Sequence, residues 1–561
     1  MKPAAVVPLL GLSLLTALAA CGPKTPPGGA ADSVVDGVVD AVAADDGRSF
    51  TILAINDTYR IEGDVEGQRG GLARVRALRR ELEDDGESVL VLHAGDFLFP
   101  SFLSRTYKGA QMIDVLSRLD GDAGAFDERL IVTFGNHEFD KSRLKYAPML
   151  DARVEESGFR WLSTGLTWTT DDAGEPLVKA ENLVDEVLVD VGGVRVGVFS
   201  VTMPFVHPEY IADFADPIES ARAATASLRA AGAEVVVALT HQDLGSDHHL
   251  VETLGAEGPD LVVGGHEHAR HEDVVNGRSV SKADADAWSA SVIRVSPEGK
   301  GSPAVDHSFV DLGGQSPAPD TDVQRIVDGW VSKQKETFCQ DKLQVEAGCL
   351  DTRLARAGTE LVAAELEIRR FETNLGSWVA DLMLHAWQDQ GAQVAFINSG
   401  ALRINRNIAA GADITRLEVE ELLPYPSATR LLKLDRSTLD QVLARSVSSW
   451  TGQGHFLQVA GMAFRHDPAT GEVTDVTLLG PDGPRRLGPD ESVLAVTVTY
   501  VADGGDGYEM LTSELHIGEP GPPVKGLLVE ALGSLDELSP AMEGRICGPH
   551  TDGPCLALPA D

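Results

Sequence analysis

Five short apolar runs in the first half of this chain each end in residues able to hold a metal ion. Residues 50–55 lead into Asn56-Asp57, and 88–92 into His93-Ala94-Gly95-Asp96. Residues 130–134 lead into Gly135-Asn136-His137-Glu138, 235–240 into His241, and 261–263 into Gly264-Gly265-His266-Glu267-His268. Asp57, Asp96, Asn136, His241, His266 and His268 offer hard oxygen and borderline nitrogen ligands. That mixture suits Zn²⁺, Mn²⁺ or Fe rather than Ca²⁺ or a thiolate site. His266 and His268 flank Glu267, so on an extended loop both rings point the same way. The elements needed to bring these residues together are buried strands, which read as apolar runs bounded by glycine. Side chains at the ends of such strands converge on one edge of a sheet, where open α/β sheets place their sites.

At 561 residues the chain exceeds one ordinary core, and two large domains are expected. A hydrophobic content of 43% fits globular domains. With 47 basic against 86 acidic residues the formal charge is −39, a field that repels nucleic acid and anionic membrane surfaces. It also repels phosphorylated small molecules, so any anion site must carry its own positive charge, from metal or arginine. Lys2 precedes an apolar stretch ending Leu18-Ala19-Ala20-Cys21. Its length and small-residue end fit an export signal. Small residues directly before a cysteine resemble a bacterial lipoprotein cleavage box, with Cys21 the acylated first residue. This places the protein in the bacterial cell envelope, touching membrane only through a lipid anchor. The remaining cysteines form two close pairs, Cys339 with Cys349 and Cys547 with Cys555. Export permits disulfides, and both pairs read as local staples.

Residues 1–20 are thus a signal peptide and 21–47, rich in Pro, Gly, Ala and Asp, a flexible tether. Over 48–312 strands alternate with helix-like segments at 71–85, 109–119 and 218–231, the pattern of an α/β layered domain. Residues 313–357 read as a linker carrying a helix over 322–335 and the first cysteine pair. The composition resets at 358–535, where 375–388 reads as an amphipathic helix capped by Thr373 or Asn374. Strands are expected at 394–397 and 493–499. Residues 536–561 form a tail with the second cysteine pair.

Gly95-Asp96, Gly135-Asn136-His137-Glu138, Thr240-His241 and Gly264-Gly265-His266-Glu267-His268, in that order, resemble the calcineurin-like metallophosphoesterases, and more closely their exported bacterial 5′-nucleotidase branch. The resemblance implies a four-layer α/β/β/α domain followed by a separate C-terminal α+β nucleotidase domain. It also implies two divalent ions. Asp96 would bridge them; Asp57 and His268 would hold one; Asn136, His241 and His266 would hold the other. Such a pair clamps a phosphoryl oxygen and activates a bridging hydroxide for attack on phosphorus. His137 would stabilise the phosphoryl charge or protonate the leaving oxygen, with Asp140 orienting its ring. One departure stands out. The family usually reads Asp-x-His at the first motif, and this chain reads Asp57-Thr58-Tyr59. A phenol, with a reference pKa of about 10, is a poor neutral-pH ligand for Zn²⁺, so Tyr59 is at most an uncertain ligand.

The second half extends the resemblance through Glu372-Thr373-Asn374-Leu375-Gly376, Asn398 to Arg403, Leu423-Pro424-Tyr425, and Tyr500 to Tyr508. Read as chemistry, Tyr425 and Tyr500 can sandwich a flat base, each stack contributing about 1–3 kcal/mol. Arg369 and Arg403 can fork onto carboxylate or phosphate oxygens. Asp506, among glycines, can accept from ribose hydroxyls. Two departures bear on substrate. Ser427 follows Pro426 where the family usually carries Gly-Asn, and Glu365 stands where some relatives carry another arginine. The leading expectation is a phosphomonoesterase acting on extracytoplasmic nucleotides. The alternatives are the same dinuclear chemistry on nucleotide sugars, cyclic nucleotides or another phosphoester, and a surface nucleotide binder with an impaired metal centre.

Overall fold

A computed structural model of the chain describes residues 47–64, 67–122, 124–205, 207–298, 302–314, 317–448, 452–551 and 555–557. The expected export signal, most of the expected tether and Cys21 lie outside the described residues. Among those described, no helix is long and apolar enough to cross a membrane.

The first domain follows from alternation within its strands. In Phe50–Ile55, Leu53 and Ile55 point to one core while Phe50, Ile52 and Ala54 point to another. Val89–His93 repeats this, with Val89 and Val91 on one side and Leu90 and Leu92 on the other. Strands apolar on both faces must be covered on both faces. One sheet runs Ala304–Asp311, Ser289–Ser296, Phe50–Ile55, Val89–His93, Asp127–Thr133, Phe159–Leu162, Leu183–Val184. The second runs His271–Val275, Arg278–Lys282, Leu261–Gly264, Val235–His241, Val194–Thr202, Glu186–Val191. They pack face to face through Ile52, Leu90, Leu92, Val237, Leu239 and Val263. Helices Leu72–Asp84, Ala110–Leu116 and Ala147–Glu155 cover the outer face of the first sheet, and Pro217–Ala230 and Leu244–Leu254 that of the second. The result is the four-layer α/β/β/α arrangement.

Strands Phe50–Ile55, Val89–His93 and Asp127–Thr133 run parallel to one another, as do Val235–His241 and Leu261–Gly264. Their carboxyl ends therefore share an edge. Helix Thr321–Phe338 starts on Asp320, whose carboxylate accepts from the backbone N–H of Asp322 and Val323, and Val323, Val327 and Phe338 join the first domain's core. Cys339–Cys349 is a disulfide with Cα atoms 5.8 Å apart, and Leu350 completes that core.

The second domain has its own core. A mixed sheet of Leu457–Ala460, Val394–Asn398, Ser492–Val498, Thr429–Asp435 and His516–Ile517 carries helix Asn374–Ala386, capped by the Thr373 hydroxyl on the Gly376 N–H. Residues near the C-terminus are woven into it. Glu537–Leu538 pairs parallel with Arg353–Ala357, and Ile546–Cys547 with Met462–Asp467. Cys547–Cys555 is the second disulfide, again with Cα atoms 5.8 Å apart.

Beneath the shared edge lies a fully buried Lys282. Its ammonium donates to the carbonyls of Gln242 (2.6 Å) and Gly265 (2.8 Å), and pairs with Asp247 (2.8 Å) and Glu267 (2.5 Å). This ties the 264–268 loop to the strand and helix behind it. Removing one member of a buried ionic cluster strands the others without solvent. Lys282→Met is therefore expected to cost about 3–5 kcal/mol in urea unfolding, whereas the surface change Arg325→Ala, at an exposed pair, leaves the midpoint within error.

Candidate metal centre

The turn after each strand is bent so that the side chain faces inward. Asp57, Asp96, His266 and His268 all have positive φ, at 49°, 59°, 91° and 60°. Four non-glycine residues in the left-handed region at one spot signal a functional constraint. The histidine loop is therefore not extended at these two residues. Glycines make room. A Cβ at Gly135 would sit 2.2 Å from Asp96 Oδ1, and one at Gly265 2.7 Å from the Ala94 carbonyl.

Asp57, Asp96 and His241, all buried, bring one ligand atom each within 4.8 Å of one another. His241 donates from Nδ1 to the Ala94 carbonyl (2.7 Å), which turns Nε2 toward Asp96 Oδ2 (3.2 Å) and Asn136 Oδ1 (3.2 Å). His268 Nε2 lies 3.3 Å from Asp57 Oδ1. His266 gives its backbone N–H to Asp57 Oδ2 (2.8 Å), and its ring stacks on Phe205 with Nε2 3.5 Å from Asp243. The His266 and His241 ring centroids are 5.5 Å apart. By contact the candidate ligands fall into Asn136 and His241 beside Asp96, and His268 beside Asp57, with His266 touching both groups through its bond to Asp57 and its ring near His241. Tyr59 stands among the second group. Its hydroxyl is 2.8 Å from His268 Nε2, 3.3 Å from Asp96 Oδ2 and 3.4 Å from Asp57 Oδ1.

Acceptors here face acceptors, an arrangement that only a proton or a cation between them can stabilise. Burial pushes both carboxyls up, but His268 and His241 outweigh it at Asp57, and His241 and His137 at Asp96. Asp57 lies well below the carboxylate range, and Asp96 at about 2. Burial pushes His241 down, and Asp96 and Asp57 more than reverse that, raising it to about 10. The carboxylates thus hold the ring as a cation unless a metal takes the proton's place. Hard carboxylate and amide oxygens with imidazole nitrogens fit a divalent transition ion. His93, by contrast, packs its ring against Phe97 and is pushed down to about 3 by burial, so it stands as a neutral core residue.

Several organising residues carry no distinctive signal of their own in the sequence. Glu138, fully buried, accepts the backbone N–H groups of Asp96 (2.8 Å), Phe97 (2.7 Å), Leu98 (2.9 Å) and Gly135 (2.6 Å), binding two of the ligand turns to each other. Asn56 donates to Asp57 Oδ2 (2.7 Å) and exchanges bonds with the backbone of Ala283. For Glu138 the available hint is its place in the block Gly135-Asn136-His137-Glu138.

The second domain reaches this centre. His137 Nδ1 bonds Asp140 Oδ1 (2.9 Å), and its Nε2 meets Arg403 Nη2 (3.0 Å). Arg403 also donates from Nε to the Gly400 carbonyl (2.8 Å). Arg369 pairs with Glu365. Asp506 accepts from the Tyr500 hydroxyl (2.8 Å) and from Asn398 (2.7 Å), while the Tyr500 ring is 55% exposed and half-buried Tyr425 remains open to a ligand.

Candidate metal ligands at strand ends on a two-sheet sandwich, with a His–Asp pair beside them, point to a metal-dependent hydrolase. Residues 50–270 match the family model for calcineurin-like phosphoesterases, and residues 354–513 that for the 5′-nucleotidase C-terminal domain. The chain belongs to the metallophosphoesterase/5′-nucleotidase family, hydrolases of phosphoesters that use divalent metal ions. The trifunctional nucleotide phosphoesterase protein YfkN of Bacillus subtilis is 26% identical over 541 residues, covering 89% of this chain but 35% of YfkN, so the chain spans about a third of that relative. The 5′-nucleotidase of Rattus norvegicus is 24% identical, covering 89% of this chain and 90% of its own length. In fold, the chain resembles the 5′-nucleotidase precursor from Thermus thermophilus, with a TM-score of 0.75 at 24% identity over 90% of this chain and 100% of that one.

Elemental analysis tests the ligand set. Asp96→Asn should remove most bound transition metal from the purified protein, and Tyr59→His should retain as much as wild type or more. Full metal content in Asp96→Asn would exclude Asp96 as a bridge.

Proposed function

We propose that this protein is an exported, lipid-anchored 5′-nucleotidase that releases phosphate from extracytoplasmic nucleotides in a bacterial envelope. The single observation that carries the reading is the meeting of His137, braced by Asp140, with Arg403 of the nucleotidase domain beside the ligand cluster. One ion would be held by Asp57, His268 and Asp96, with Tyr59 alongside. The other would be held by Asp96, Asn136, His241 and His266. When bound, the pair supplies Lewis acidity at the phosphoryl group and an activated water.

The chain's own residues do the rest. Asp140 holds the Nδ1–H of His137, so Nε2 faces the reacting group. A phosphoryl oxygen entering between Nε2 and Arg403 Nη2 replaces their mutual contact; it accepts from Arg403, and from Nε2 once that nitrogen has taken a proton from solvent. His137 then holds a proton at Nε2 for the departing ribose oxygen. Arg369 and Arg403 bind the nucleotide's anionic groups. Tyr425 and Tyr500 stack the base, and Asp506, steadied by Asn398, accepts from ribose.

One observation favours the second reading, in which the substrate is a cyclic nucleotide, a nucleotide sugar or another phosphoester. Arg369 is already neutralised by Glu365, so the pocket presents less positive charge than two free guanidinium groups would. Phosphate release from AMP, a cyclic nucleotide and a nucleotide sugar in added Mn²⁺ separates the two. AMP as the preferred substrate supports the first, and no turnover of any in metal-loaded protein leaves a binder. His137→Ala should lower kcat about 10²–10⁴-fold while metal content stays at the wild-type level.

A further inference from the structure

The two positions at which the sequence departs from the family pattern near the metals meet on one imidazole. Tyr59 Oη lies 2.8 Å from Nε2 of His268, and Glu365 Oε2 lies 2.7 Å from its Nδ1. Tyr59 and His268 belong to the first domain and Glu365 to the second. Glu365 is 6% exposed, and its backbone N–H is fixed by Asn405 Oδ1 (3.0 Å). Its other oxygen pairs with Arg369, with Arg403 Nη1 4.0 Å away. The carboxylate is thus held on its own domain and aimed across the boundary.

The chemistry of this contact is directional. A carboxylate accepts and does not donate, so the proton between the pair sits on Nδ1. The Nε2 lone pair then faces Asp57 Oδ1, 3.3 Å away. A carboxylate behind an imidazole fixes its tautomer and ring orientation and strengthens it as a ligand. Arginine at position 365 would be a donor and could not do this. The gain falls where it is needed, because the phenol of Tyr59 is a weaker ligand than the imidazole it replaces.

We propose that Glu365 is a positioning residue for the metal centre: supplied by the nucleotidase domain, it orients His268 and thereby couples retention of one metal ion to docking of the two domains. The inference rests on the dinuclear reading above. Linkage makes the coupling reciprocal, so whatever tightens metal binding through this contact also favours the docked arrangement by the same factor. Other contacts cross the boundary independently. Arg105 donates to the fully buried Glu420 (2.6 Å), and Arg60 donates to the carbonyls of Arg403 (3.3 Å) and Ile404 (3.2 Å). Loss of the Glu365 carboxylate therefore leaves the domains tethered at two further places, and its effect on the metal can be read separately.

The test uses the full chain with Mn²⁺ alone, without nucleotide. Chelator competition gives the affinity of each Mn²⁺ equivalent, and solution scattering gives the Mn²⁺-induced change in radius of gyration. Expected for Glu365→Gln and Glu365→Ala is a loss of about 10- to 100-fold in affinity for one equivalent, with the other unchanged, and a smaller Mn²⁺-induced compaction than wild type. Because Glu365→Gln also breaks the buried pair with Arg369, its metal-free melting temperature should fall, and the positioning role is read from the difference between the two equivalents. Both equivalents bound as in wild type by Glu365→Gln and Glu365→Ala would overturn the positioning role alone. Equal weakening of both equivalents would reduce Glu365 to a structural contact. Wild-type protein that holds fewer than two Mn²⁺ ions would instead sink the dinuclear reading, and this inference with it.

Discussion

Negative charge held out of water is the constraint around which the first domain is organised. Asp57 and Asp96 are 0% and 1% exposed, and each lies in a turn closed off by neighbouring strands. An ionised carboxylate in such a place costs several kcal/mol unless its surroundings compensate. Hydrogen bonds supply part of that. Asp57 accepts from Asn56 and the backbone of His266, and Asp96 from the backbone of His137. Glu138 performs the converse task, gathering four backbone N–H groups that would otherwise be unpaired in the turns. The remaining demand is for positive charge, and the imidazoles converge to meet it with a proton or to share it with a metal ion.

That demand explains why the surrounding scaffold is so heavily buried. Left-handed backbone at Asp57, Asp96, His266 and His268 costs on the order of 1–3 kcal/mol each. Strain of that size persists only where the structure on either side cannot relax. The parallel strands feeding these turns are apolar on both faces and locked between a helix layer and a second sheet, so the turns have fixed ends. Lys282 does the same for the histidine loop from below, with carbonyl oxygens and two carboxylates on one ammonium.

Much of this is legible in the sequence, for a physical reason. Strands buried on both faces must be continuously apolar, so the runs before Asp57, Asp96 and His241 stand out, and the ligand positions at their ends follow. Helix limits are legible where a cap exists, as at Thr373. What cannot be read falls into two kinds. One is backbone conformation in tight turns: an extended loop is expected at His266 and His268, and both residues are left-handed. The other is pairing between distant charged residues. Nothing in the local pattern around Glu365 or Arg403 says that one faces His268 and the other His137. Short strands such as Glu537–Leu538 and Ile546–Cys547 are illegible as well, because two residues cannot display a period.

The division of charge between the domains completes the argument. The first domain offers its candidate metal ligands and one His–Asp pair at the shared edge. The second brings Arg403 to His137 and Glu365 to His268, one donor and one acceptor, on a segment pinned by Asn405 and Asn407. In a chain of net charge −39, an anionic phosphoester meets favourable charge only where these contributions overlap. The first domain alone would lack the Arg403 guanidinium, and on the second alone Glu365 would keep Arg369 but lose its contact with His268. The candidate site is therefore assembled by the contact between domains, with Arg403 and Glu365 reaching His137 and His268 across it.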